Sequence, residues 1–175
     1  MGLPIAATYV MLVILIAPAM ISAGVLPISA HMFMNFFAAM SFVTPPVAIA
    51  AYVAAGIAQC DPIRVGFIAV RLGIAAYLVP FYFAYRPALL LVGSPAEIAY
   101  AAMIATLGIL AATMALAGFA FQKLNIVQRI LMGFGSLALL WPAPLMDIIG
   151  LGLFGLMILW NWLQRKRNLL TTIKP

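Results

Sequence analysis

The chain has 175 residues, 67% of them hydrophobic and 7% charged, with a net charge of +6. A soluble domain carries about 45–50% apolar and about 25% charged residues, so this composition cannot build a water-facing surface. That excludes a soluble enzyme, a nucleic-acid-binding module and a disordered tail. The positive charge reads instead as the flank of a membrane helix, since Arg165, Lys166 and Arg167 follow an apolar stretch directly.

A hydrocarbon core about 30 Å thick takes roughly 20 apolar residues of helix. The first span is predicted from Leu3 to Ile21, with Pro4 in its opening turn. No basic segment precedes it, so no signal peptide is evident. A loop marked by Gly and Pro covers Ser22 to Ser29. Asp61-Pro62 opens a helix that runs to about Tyr85, with a kink expected at Pro80. Ser94-Pro95-Ala96-Glu97 is a capping-box start for a helix reaching about Phe119. Ile126 to Trp141 is short for a span, which suits a tilted, distorted or interfacial helix. Leu145 to Leu163 follows after Trp141-Pro142-Ala143-Pro144. The fold class is therefore an all-α integral membrane protein, with about five transmembrane helices plus one re-entrant helical hairpin. Residues 1–100 read as a core segment and 101–175 as C-terminal helices with a basic tail.

The hairpin is the segment that does not fit a plain span. It is apolar throughout, yet Thr44-Pro45-Pro46 removes two backbone donors and forbids a continuous helix. The arms left, Ala30–Phe42 and Val47–Ala58, are each roughly 18–20 Å long, too short to cross. Carbonyls freed at the tip are hard oxygen ligands for a small cation, and the start of the second arm suits an anionic group. Ser41 and Thr44 add hydroxyls at the same point. In lipid such groups are costly, so the tip must face protein or a wet cavity. Broken helices meeting near the midplane are how many secondary transporters hold coupling ions and substrates, whereas an isolated membrane proline is often only a kink.

The stretches MGLPIAATYVMLVILIAPAM and HMFMNFFAAMSFVTPPVAIAAYVAAGIAQCDP resemble the large membrane subunit of tripartite ATP-independent periplasmic (TRAP) transporters. VGFIAVRLGIAAYLVPFYFAYRPALLL is similar to the fused-permease branch served by TAXI-type receptors. The resemblance is close over most of residues 1–100 and loose beyond. It implies a sodium-coupled permease for organic acids in the bacterial inner membrane, dependent on a periplasmic solute-binding protein. It places the Thr-Pro-Pro tip at a sodium site and the substrate site, which carries Ser41, Val43, Thr44, Pro45 and Pro46 over as site residues. Gly2, Leu3 and Pro4 would form an unwound segment facing the tip, with Thr8 a hydroxyl ligand nearby. The family has two inverted halves, each with a hairpin, and this chain carries one. Met1 then corresponds to an internal methionine, this chain to the C-terminal part, and the remaining N-terminal half of the permease to a partner. The other reading, of a different class, is a small structural or accessory membrane subunit without transport activity of its own.

Some of the other residues admit more than one reading. His31 and Asn35 share a helix face; they line the substrate cavity or relay a proton, or His31 sits at the interface bonded to backbone. Arg71, deep in its helix, attracts an anionic substrate, caps hairpin carbonyls, or snorkels to the interface. Asp147 suits the first turn of the last helix as a cap. Gly150, Gly152 and Gly155 allow close helix packing, and Trp141, Trp160 and Trp162 fit interfacial belts. Cys60 is an ordinary loop residue. With three acids and one histidine, no catalytic constellation or transition-metal ligand set can be assembled, so neither an enzyme nor an organic cofactor is expected. Counting crossings puts the hairpin mouth, Lys123, Arg129 and the Arg165–Arg167 cluster on one side, which the positive-inside rule makes cytoplasmic. The resemblance implies a periplasmic hairpin mouth, a conflict that vanishes if Ile126–Trp141 does not cross.

Overall fold

The computed structural model describes residues 4–172, and the chain divides into two compact units, residues 1–101 and 102–175. Helices run in the order α1 (Ile5–Ser22), α2 (Pro27–Met40), α3 (Ile49–Ala58), α4 (Pro62–Leu72), α5 (Ile74–Tyr85), α6 (Pro95–Ala117), α7 (Ile126–Leu140) and α8 (Pro144–Thr172), with a short 3-10 turn at Pro87–Leu90. Their starts follow local chemistry. Asp61 Oδ1 accepts from the Arg64 amide at 2.7 Å, and Pro62 fills the first helical position. Ser94 and Glu97 close the expected capping box, with Glu97 Oε2 2.7 Å from the Ser94 amide. A second capping box, Asn125 with Gln128, opens α7.

Among the described residues, four helical segments are long and apolar enough to cross a membrane: Ile5–Ser22, Pro62–Tyr85 (α4 and α5 taken together), Pro95–Ala117 and Pro144–Lys166. Ile126–Leu140, the fifth segment anticipated, is a shorter apolar helix, as is Ile49–Ala58. Large apolar side chains lie open on the surface, among them Leu15 at 70% and Ile14 at 68% exposure. Lipid is the solvent that makes such a surface stable, and the molecule is a multi-pass all-α membrane protein.

Within the first unit, α2 packs on α1 around buried Ala17, Ala30 and Met34. Its other side meets α5 through aromatic edges, Phe33 to Phe81 with ring centres 5.2 Å apart and Phe36 to Phe83 at 5.5 Å. The second arm, α3, packs on α4 instead. Among the described residues the two arms do not pack on each other. The arms also differ in length from those anticipated, because α2 begins earlier, at Pro27, and stops at Met40. A second departure lies between α4 and α5. The anticipated single helix is interrupted at Gly73, and Pro80 lies inside α5.

In the second unit α7 packs on α8. A Cβ on Gly150 would lie 2.5 Å from Leu139 Cγ and 2.9 Å from the Gly135 carbonyl oxygen. Gly150 therefore lets the backbones approach, with Gly135 as its counterpart. Gly152 and Gly155 do not share that role, since a Cβ on either would meet nothing within 4 Å. The loop between α6 and α7 is bonded to the far part of α8: Asn161 Oδ1 accepts from the amides of Phe121 and Gln122 at 3.1 and 3.2 Å. Gln164 Oε1 accepts from Gln122 Nε2 at 3.1 Å. Lys123 and Arg129 thus lie at the end of the unit that carries Arg165 and Lys166, so α7 runs antiparallel to α8. Asp147 is buried in the first turn of α8, and Trp141, Trp160 and Trp162 are exposed.

Candidate functional site

The connection from α2 to α3, residues 41–48, is not helical. Pro45 and Pro46 supply no amide donors, and the peptide bond between them is cis. Even so, the last turn of α2 is well satisfied. The amide of Ser41 donates to the Phe37 carbonyl, that of Phe42 to Ala39, and those of Val43 and Thr44 to Met40, all at 3.1–3.2 Å. Ser41 Oγ donates to the Ala38 carbonyl at 2.7 Å and Thr44 Oγ1 to the Met40 carbonyl at 2.6 Å. The carbonyls at the end of the first arm, anticipated as open ligands, therefore already accept bonds from the tip itself.

The open carbonyls lie one step further along. Among the described residues, no backbone amide donates to the carbonyls of Ser41, Val43, Pro45 or Val47. Phe42 accepts across the tip from the Ala50 amide at 3.1 Å, and the Tyr52 hydroxyl donates to the Pro46 carbonyl. At the start of α3, the amides of Ile49 and Ala51 have no backbone acceptor among the described residues. Ala48, where the chain turns into α3, has φ +29°, a conformation that costs an L-residue roughly 1–2 kcal/mol. Hydroxyl and carbonyl oxygens without ionised side chains form a neutral, hard donor set, suited to a monovalent cation.

The interrupted pair α4–α5 holds this tip. Thr44 Oγ1 lies 2.6 Å from the hydroxyl of Tyr77, in the first half of α5. On the α4 side, a Cβ on Gly66 would come within 2.7 Å of Pro45 Cγ and 3.6 Å of Ala48 Cβ, so the absence of a side chain admits the proline. The break in one helix pair thus lies against the other pair, between Gly66 before Gly73 and Tyr77 after it.

Of the residues singled out from sequence, Ser41, Val43, Thr44, Pro45 and Pro46 come together at the tip. Gly2 and Leu3 lie outside the described residues. Thr8 sits early in α1, which packs on α2, and its neighbour Tyr9 bonds His31 Nδ1 at 2.8 Å. His31 is bonded to a side chain rather than to backbone. Asn35 is exposed on α2, and Arg71 is exposed in the last turn of α4, beside Gly73. Tyr77 and Gly66 were missed, because a hydroxyl 33 residues from Thr44 and one glycine among many carry no local signal. No group of three or more His, Cys, Asp or Glu that could hold a metal ion occurs among the described residues.

A multi-span helical protein whose broken helices gather unpaired carbonyls at one tip has the build of a secondary transporter. The family model described as "Tripartite ATP-independent periplasmic transporter, DctM component" matches residues 1–98, and the chain belongs to that family, the large permease component of TRAP transporters. This is a family of transporters, not of enzymes, and it implies partnership with a periplasmic binding protein. Neither the curated proteins nor the solved structures contain a match to the chain.

Proposed function

We propose that this chain carries the ion and substrate tip of a sodium-coupled TRAP permease for organic acids, fed by a periplasmic solute-binding protein in the bacterial inner membrane. The observation that carries the reading is the tip at residues 41–48. It offers the Thr44 hydroxyl beside the amide-free carbonyls of Ser41 and Val43. Sodium is a hard cation of low charge, and neutral oxygens from an unwound segment replace its hydration shell without trapping it. The two prolines serve the site by withholding amides that would compete for those oxygens.

The substrate carboxylate, in this reading, meets the start of α3, where Thr44 and Pro46 lead into the amides of Ile49 and Ala51. Helix N-termini favour negative charge. Arg71 at the α4–α5 break adds a cation whose field acts on the same anion, and Asn35 on α2 is the outermost of the substrate contacts. With sodium bound, the otherwise neutral tip carries a positive charge that attracts the arriving carboxylate, which couples the two. The remainder of the permease, including its other hairpin, completes the binding surface.

The test is equilibrium binding of radioactive sodium to the purified protein. The wild type takes up sodium saturably, and Thr44→Ala abolishes that uptake or weakens it at least tenfold. Equal binding by the two proteins would contradict the proposal.

A further inference from the structure

We infer that Tyr77 is a positioning residue for this tip: its hydroxyl fixes the Thr44 oxygen for a cation that Tyr77 itself does not ligate. The inference rests on the reading of the tip as a sodium site and follows from counting protons. A threonine hydroxyl has one proton and two lone pairs. The proton goes to the Met40 carbonyl at 2.6 Å, since a carbonyl can only accept. Tyr77, 2.6 Å from the same oxygen, is therefore the donor of the second bond. One lone pair of Thr44 Oγ1 takes the tyrosine proton, and one is left.

Two consequences follow. A chain of bonds running Tyr77 to Thr44 to Met40 holds the threonine side chain in a single orientation, and each bond polarises the next. The remaining lone pair is the only one Thr44 can offer to an ion, and its direction is set by the other two bonds. The chain also links separate breaks. Thr44 belongs to the α2–α3 connection and Tyr77 to the helix that restarts at Ile74, where the Gly73 amide bonds Ala69 and the Ala76 amide bonds Gly73. A cation drawing on Thr44 Oγ1 alters a bond joining both interruptions, so ion occupancy is felt at the α4–α5 break.

Tyr77→Phe keeps the ring and removes the hydroxyl. In sodium titrations of the purified protein it raises the half-saturating concentration about three- to tenfold, the worth of one net hydrogen bond. Thr44→Ser, which keeps the hydroxyl, stays within about twofold of wild type, and in a Thr44→Ala background Tyr77→Phe has no further effect. A lower thermal midpoint for Tyr77→Phe with an unchanged half-saturating concentration would make Tyr77 merely structural and overturn the inference. If Thr44→Ala also left sodium binding unchanged, the reading of the tip as an ion site would fall as well.

Discussion

The two units meet the same physical problem, helix ends inside a membrane protein, and handle it in opposite ways. In the second unit, the loop joining α6 to α7 is sealed by side-chain amides. Asn161, fully buried, takes two loop amides, Gln164 takes the amides of two glutamines, and Arg129 donates to the Ala115 and Leu116 carbonyls at the end of α6. In the first unit, the interruption at residues 41–48 is bridged by backbone amides and by the hydroxyls of Ser41, Thr44, Tyr52 and Tyr77, and among the described residues the carbonyls of Ser41, Val43, Pro45 and Val47 have no backbone amide donor. Sealing with amides spends the polar groups on stability. Bridging with hydroxyls leaves oxygens available to a ligand, and it keeps the bridge weak enough to exchange partners. One connection is closed on itself, and the other keeps oxygens open.

Substitutions in the two units have distinct expected effects. Gly150→Ala drives a Cβ into Leu139 and the Gly135 carbonyl, and destabilises the α7–α8 pair by about 3 kcal/mol; thermal unfolding in detergent measures it. Asn161→Ala strands the Phe121 and Gln122 amides and costs about 2 kcal/mol, with faster hydrogen exchange confined to residues 118–125. If that exchange were unchanged, the second unit would not be sealed as described. Gly66→Ala pushes on Pro45, with a loss of about 1 kcal/mol but a larger effect on sodium titration than on melting, because the displaced proline carries Thr44 with it. Gly152→Ala, in open space on α8, has the opposite sign and stabilises by up to about 1 kcal/mol.

Much of the first unit was legible in the sequence, because its landmarks are local. Thr44-Pro45-Pro46 announces a break by removing donors, Asp61-Pro62 announces a start, and Ser94 with Glu97 announces another. Gly73, unremarkable in a membrane helix rich in small residues, is where the helix breaks, and nothing local to it in the sequence announced that. The site was legible only on its own strand of chain. Thr44 could be named, but Tyr77 and Gly66 act through contacts that depend on how α4 and α5 fold back on the tip. Nor does the sequence near Asn161 show that it closes a loop some 40 residues away; it stands among apolar neighbours as one polar residue, and only packing gives it its partners.

The cation site proposed at residues 41–48 is decided by the thermal midpoint of the purified protein in sodium chloride against choline chloride. At ten times the dissociation constant, bound sodium stabilises by about 1.4 kcal/mol, a rise of roughly 3–5 °C for a chain of this size. That rise is expected for the wild type and none for Thr44→Ala. An equal rise in both proteins would contradict it.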